Sequence, residues 1–332
     1  MIDFQMLIIV PVIVGVVIFL IPESIKMMKA YIALLVSAYA AYLSVLVFNL
    51  PSNTVANLGS LKWLYLPGME RFLELKVDGL SKLIVLFIGL FGFLYALYSL
   101  SYTAKRNARP DGVELMPAPA TKSAPAHIPD NYYSYYLITL GASFGVALTD
   151  NLLLFVFLWG LLGLTLFKLI KGHTEESSLT AKKALVLIGA SDSILILGIG
   201  LLYNSSHTLK ISDIALSTNT TIASIAFLSL LIACLTKAGA FPFHTWIPEF
   251  TRDAPASISA YLPASLDKLL GIYFLGRLCM NMFVLTSWAT LLLLVIGAVT
   301  IITAVMMALI QHNFKKLLGY HAISQVGYMI TG

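Results

Sequence analysis

The sequence predicts an all-α polytopic membrane protein with about ten transmembrane helices. Three observations carry that prediction. Hydrophobic residues make up 59% of the 332-residue chain and charged residues 11%, against roughly 45–50% and about 25% in soluble domains. Apolar runs of about 20 residues, enough to cross a hydrocarbon core of ~30 Å, recur between short polar joints. The joints also divide by charge. Twelve lysines and arginines fall in the loops after odd-numbered runs and five in the loops on the other side, which places the N-terminus outside and the multi-pass chain in a cytoplasmic (inner) membrane.

The runs cover residues 4–21, 30–49, 78–102, 132–149, 151–170, 182–203, 221–240, 256–279, 285–310 and 316–332. The first lacks a basic leader and a small-residue cleavage site, so it reads as a retained helix. The third opens at Asp78-Gly79. Between it and the fourth, Pro110–Asp130 holds five prolines among Ala, Ser and Thr, the composition of a flexible cytoplasmic insertion. The fourth and fifth meet at the tight turn Thr149-Asp150-Asn151. The seventh is interrupted, because Gly239 and Pro242 follow Lys237 directly. The eighth reads as one helix. The tenth reaches Gly332 without a polar stop, as expected of a chain that is shortened or whose last helix packs on a partner.

Other function classes fit poorly. The +5 formal charge is scattered rather than clustered, so no nucleic-acid partner is expected. Cys234 and Cys279 lie in apolar runs without metal-ligand spacing, so no cysteine-held cofactor is expected in this chain.

Ionisable residues inside spans are costly and mark functional positions. Lys237 sits beside the helix interruption, where irregular backbone is tolerated only if it lines a protein interior or a cavity. Burial disfavours a lysine's charged form and a nearby carboxylate restores it, so such a lysine can load and release a proton. Lys268 lies too deep in its run to snorkel easily. Asp267 is its neighbour, but successive helical residues point about 100° apart and serve different partners. Asp192, among Gly189, Ser191 and Ser193, can meet a lysine on a closely packed helix. Lys183 and Lys168 flank the cytoplasmic ends of helices six and five, and Lys82 reads as interfacial. His244, in the break, and His321, in the last helix, would extend a polar axis through the membrane.

The run Leu235-Thr-Lys-Ala-Gly-Ala-Phe-Pro-Phe-His-Thr-Trp-Ile-Pro-Glu249 and the following Ala254-Pro-Ala-Ser-Ile-Ser-Ala260 resemble a known signature. It belongs to the antiporter-like subunits of respiratory complex I, energy-converting hydrogenases and multi-subunit cation/proton antiporters. Val77-Asp78-Gly79-Leu80-Ser81, Asp150-Asn151-Leu152-Leu153-Leu154 and Lys315-Lys316 through Tyr328 agree in order. Ala264 to Tyr273 is most similar to the hydrogenase-linked branch. The resemblance implies N-terminal helices over 1–103, a loop over 104–131, a five-helix repeat over 132–279 and the start of a second repeat over 280–332. It also implies that Lys237 is the central lysine of the broken helix and Lys268 the next polar residue along the axis. Such a subunit would translocate protons or sodium within a redox-driven complex; the alternative is a structural subunit that keeps the fold without translocation. Partners would be other membrane subunits, including one that supplies the rest of the second repeat, and any iron–sulfur, nickel or flavin group would sit in them. Two departures stand out. The family's acidic residue after the helix-five tryptophan is here Gly160, for which Asp192 would substitute, and the chain is shorter than the family's two repeats.

The charge bias has a direct test. Ser123→Cys in intact cells should resist an impermeant thiol reagent, and strong labelling from outside would invert the topology.

Overall fold

The computed structural model describes residues 3–22, 25–58, 72–107, 131–171, 175–254, 256–262 and 266–332. The Pro110–Asp130 insertion lies outside them. The helices are α1 (Met6–Phe19), α2 (Lys26–Phe48), α3 (Gly79–Asn107), α4 (Tyr132–Leu148), α5 (Leu152–Ile170) and α6 (Glu175–Ser206). They continue with α7 (Thr221–Ala238), α8 (Trp246–Asp253), α9 (Ala256–Tyr261), α10 (Asp267–Arg277), α11 (Ser287–Leu309) and α12 (Phe314–Thr331). Two small sheets join loops: β1 (Thr54–Asn57) pairs antiparallel with β2 (Glu74–Val77), and β3 (Leu216–Ser217) pairs parallel with β4 (Phe283–Val284).

Every expected span contains helix, yet six among the described residues are long and apolar enough to cross a membrane by those measures alone. The central helix α4 is among the rest, and it is enclosed by protein along its length. Tyr132, Tyr133, Ser134, Tyr136, Thr139 and Ser143 of α4 are all buried, so this central helix carries hydroxyls that a lipid-facing helix would avoid.

The interruption of the seventh span is present. α7 ends at Ala238, with Gly239 left-handed at φ 79°. The amides of Gly239 and Ala240 both donate to the Leu235 carbonyl, at 2.9 and 2.8 Å, a glycine-terminated end that satisfies the last carbonyls. The eighth span corrects the expectation of one uniform helix. It is α-helical over α9, π-helical at Leu262 and Leu266, α-helical over α10 and π-helical again over Leu278–Met282. Pro263 stands inside the expected run, and proline removes the backbone donor that a regular helix needs.

The motifs near the loops prove to be clasps. Asp78 and Ser81 cap α3 reciprocally: the Ser81 amide donates to Asp78 Oδ1 at 2.8 Å and the Asp78 amide to Ser81 Oγ at 2.7 Å. Asp78 also receives both guanidinium nitrogens of Arg277, whose Nε donates to the Tyr273 hydroxyl at 2.8 Å. That hydroxyl donates to the Ala147 carbonyl at 2.8 Å, so α3, α4 and α10 are locked at one end. Asp150 accepts from the Ser212 amide and hydroxyl at 2.9 and 2.7 Å. Lys210 meets Glu74 at 2.7 Å, and that carboxylate holds the lysine above its ordinary range.

α10 approaches the end of α7 closely because position 271 is glycine. A Cβ there would lie 2.6 Å from the Ala238 nitrogen and 2.9 Å from its Cα, whereas one on Gly189 would meet nothing within 4 Å. Gly271→Ala should therefore destabilise the protein by about 1–3 kcal/mol in detergent melts, with Gly189→Ala close to wild type.

Candidate functional site

The last turn of α7 brings Lys237 to the centre of the structure. Its side chain is 1% exposed and that of Asp267, at the start of α10, is 3% exposed; Nζ and Oδ1 are 3.7 Å apart. That is an ion pair too long to be a hydrogen bond. Lys237 Nζ and Asp267 Oδ2 both lack a hydrogen-bond partner. The ammonium also lies 4.9 Å from the ring centroid of Trp159 on α5, within cation–π range. The indole Nε1 in turn donates to Asp192 Oδ1 on α6 at 3.0 Å. Four helices thus supply one file, Asp267–Lys237–Trp159–Asp192, across the interior.

The break is built to keep this lysine dry without stranding backbone groups. Trp246 of α8 is buried and its Nε1 donates to the Thr236 carbonyl at 3.0 Å. The Phe241 amide, beyond the helix end, donates to Thr300 Oγ1 on α11 at 3.2 Å. With these bonds made, the C-terminal end of α7, where helical carbonyls favour a cation, can face the protein interior.

The other sequence candidates divide. Lys268 is half-buried, and among the described residues no carboxylate pairs with it. His244 stacks on Phe241 at 5.6 Å and faces Tyr320 at 6.5 Å, its Nδ1 buried without a hydrogen bond. Lys183 pairs with Glu249 at 2.8 Å, half exposed, tying α6 to α8. With Lys182 it borders a cavity of about 550 Å³ that runs past Ser191 and Ile232 to Thr236. His321 is exposed on α12 and Lys168 on α5, outside the buried file. Among the described residues no cluster of three or more His, Cys, Asp or Glu has metal-binding geometry.

Sequence reading named Asp267 without its partner and missed one member. Asp267 is the immediate carboxylate of Lys237, although 30 residues of sequence separate them. Trp159 is the bridge to Asp192, which does not reach the lysine directly. Gly160, where the resemblance leads one to expect an acid, has nothing within 4 Å of its would-be side chain. Gly163, one turn on, lies 3.7 Å from Asp192 Oδ2 by the same construction.

A polytopic membrane protein with an interrupted helix and an ion pair buried beside the interruption has the build of an antiporter-like subunit. The family described as "NADH:quinone oxidoreductase/Mrp antiporter, TM" matches residues 149–332, more than half the chain, and the chain belongs to that family. It is 30% identical over 273 residues to the A subunit of the Na(+)/H(+) antiporter of Alkalihalophilus pseudofirmus, covering 80% of this chain and 31% of that protein. It is 27% identical over 296 residues to the A1 subunit of the Na(+)/H(+) antiporter of Staphylococcus haemolyticus, covering 87% and 34%. The chain therefore spans about a third of the length of these relatives. Its fold is similar to a chain of the Mrp complex from Dietzia sp. DQ12-45-1b (TM-score 0.81, 17% identity, 99% of this chain and 57% of that one). It is also similar to a chain of the membrane-bound sulfane sulfur reductase, an archaeal respiratory membrane complex (TM-score 0.78, 20% identity, 99% and 64%). A chain of respiratory complex I from Thermus thermophilus superposes at TM-score 0.70 with 18% identity, covering 98% and 63%.

The buried pair predicts a stability cycle. Asp267→Asn and Lys237→Met should each cost about 3–5 kcal/mol, because each leaves one uncompensated buried charge. The double variant should recover most of that loss in melts of the detergent-solubilised protein.

Proposed function

We propose that this chain translocates protons or sodium ions as an antiporter-like subunit, with the Lys237–Asp267 pair as its charge switch. The observation that carries the proposal is the pair itself: two oppositely charged groups buried at a helix break, 3.7 Å apart, with Nζ and Oδ2 making no hydrogen bond. A pair held by charge alone separates with little loss of directional bonding. While Asp267 is ionised and close, Lys237 keeps its proton; when a proton or sodium ion neutralises Asp267, the lysine loses its support in a low dielectric and releases a proton. Trp159 carries the change toward Asp192, which takes the place of the acid missing at Gly160. Lys268, next to Asp267 in sequence, is the next candidate carrier, and His244 lies between Phe241 of the break and Tyr320 of α12.

We further infer that the partners are membrane subunits of a redox-driven complex in a cytoplasmic membrane. The likeness of the fold to chains of respiratory complex I and of an archaeal respiratory membrane complex supports this. The relatives from Na(+)/H(+) antiporters support a second reading, an antiporter assembly without electron transfer. Subunits that co-purify in mild detergent separate the two, since iron–sulfur or nickel proteins indicate the first and only small membrane proteins the second.

The double variant Lys237→Met with Asp267→Asn restores packing without the charges. It should assemble to wild-type level in membrane vesicles and lose at least about 100-fold in ion-coupled proton flux, the scale on which positioned proton carriers act. Wild-type flux in that variant would make a purely structural role the better description.

A further inference from the structure

A cluster of buried hydroxyls lies among α3, the start of α4 and α9, and the charge switch does not use it. Tyr132 is the first residue of α4 and follows the partly exposed Asn131. Its hydroxyl is hydrogen-bonded to that of Tyr95 on α3. The Tyr95 ring stacks on Tyr261 of α9 with centroids 4.3 Å apart, and Tyr136 packs against Tyr261 at 5.2 Å. Tyr261 is 1% exposed, its hydroxyl makes no hydrogen bond, and the charge of Asp267 reaches it. Ser257, one turn earlier on α9, is also 1% exposed, and its hydroxyl faces the Tyr132 side chain without a well-formed hydrogen bond.

Aromatic packing alone does not account for these phenols. Phenylalanine would stack as well, and a buried hydroxyl without a partner is a net loss. The Tyr136 hydroxyl does have structural work, donating to the Gly92 carbonyl at 2.6 Å. Tyr261 has none among the described residues, and Ser257 faces only the Tyr132 hydroxyl. Their orphan oxygens and the free Oδ2 of Asp267 belong to one stretch, α9 to the first residue of α10. Buried polar groups of this kind are ordinarily completed by internal water.

We propose that Tyr132, Tyr95, Ser257 and Tyr261 form a hydrated hydroxyl route that delivers protons to Asp267 from the α4 N-terminal side. It rests on the charge-switch reading and adds the path by which the switch is loaded. Each oxygen along the route accepts a proton from the member before it and passes its own to the next. Every O–H bond broken is thus matched by one formed, and the only net change is one proton lost by water at the α4 end and one gained by the Asp267 carboxylate.

The test uses membrane vesicles that carry the full chain with its partner subunits and a pH-sensitive dye. Tyr261→Phe keeps the ring stack and removes the hydroxyl; it should assemble normally and lower proton flux by about 100-fold. Tyr136→Phe, whose hydroxyl lies off the route, should stay near wild type. Fluorinated tyrosine at position 261, a more acidic phenol in the same place, should shift the pH profile of the flux, which a packing role would not do. If Tyr261→Phe runs at wild-type rate while the Lys237→Met, Asp267→Asn double variant is silent, the route is wrong and the switch stands. A slow Tyr261→Phe with an unshifted profile for the fluorinated residue makes Tyr261 structural and also overturns the route. Wild-type flux in the double variant removes the switch and the route together.

Discussion

One ion pair organises this protein. Placing Lys237 and Asp267 almost wholly out of solvent costs desolvation energy that mutual attraction alone recovers poorly, and the surrounding structure is arranged to make that placement tolerable. α7 stops one residue after the lysine, which places the cation in the last turn, where the helix dipole favours positive charge. Trp246 and Thr300 take the backbone groups that the stop would leave bare. Gly271 lets α10 come against the end of α7, close enough for a carboxylate on α10 to reach Nζ. Trp159 offers a ring face instead of a second anion, which leaves the pair less tightly held than a hydrogen-bonded salt bridge.

The polar groups outside this centre behave differently. The Arg277–Asp78 contact is bidentate, Asp150 is doubly bonded to Ser212, and Lys210 meets Glu74 at 2.7 Å. These fix helix ends and loops. The interior holds Lys237 Nζ, Asp267 Oδ2, Tyr261 Oη, Ser257 Oγ and His244 Nδ1 without hydrogen bonds. A frame satisfied at its rim and unsatisfied along its axis can keep its shape while charges inside it rearrange.

At Gly160 the acid that the family resemblance leads one to expect is absent. A glutamate there would extend from α5. Asp192, on α6, is tied to α5 by the Trp159 indole. The tryptophan thereby becomes part of the electrostatic axis.

Composition, run length and charge bias were enough to determine a multi-helix membrane protein, because a hydrocarbon slab imposes length and polarity on whatever crosses it. The break after Lys237 was also legible, since glycine and proline act locally on the backbone. Several features were decided only by tertiary structure. Asp267 turns toward Lys237 and away from its neighbour Lys268. Trp159 stands between a lysine and an aspartate from two other helices. Hydroxyl-bearing residues of α3, α4 and α9 pack against one another, and His321 ends up exposed. These depend on which faces of separate helices meet. Pairing across 30 or more residues follows from packing, and periodicity within one helix carries no information about it.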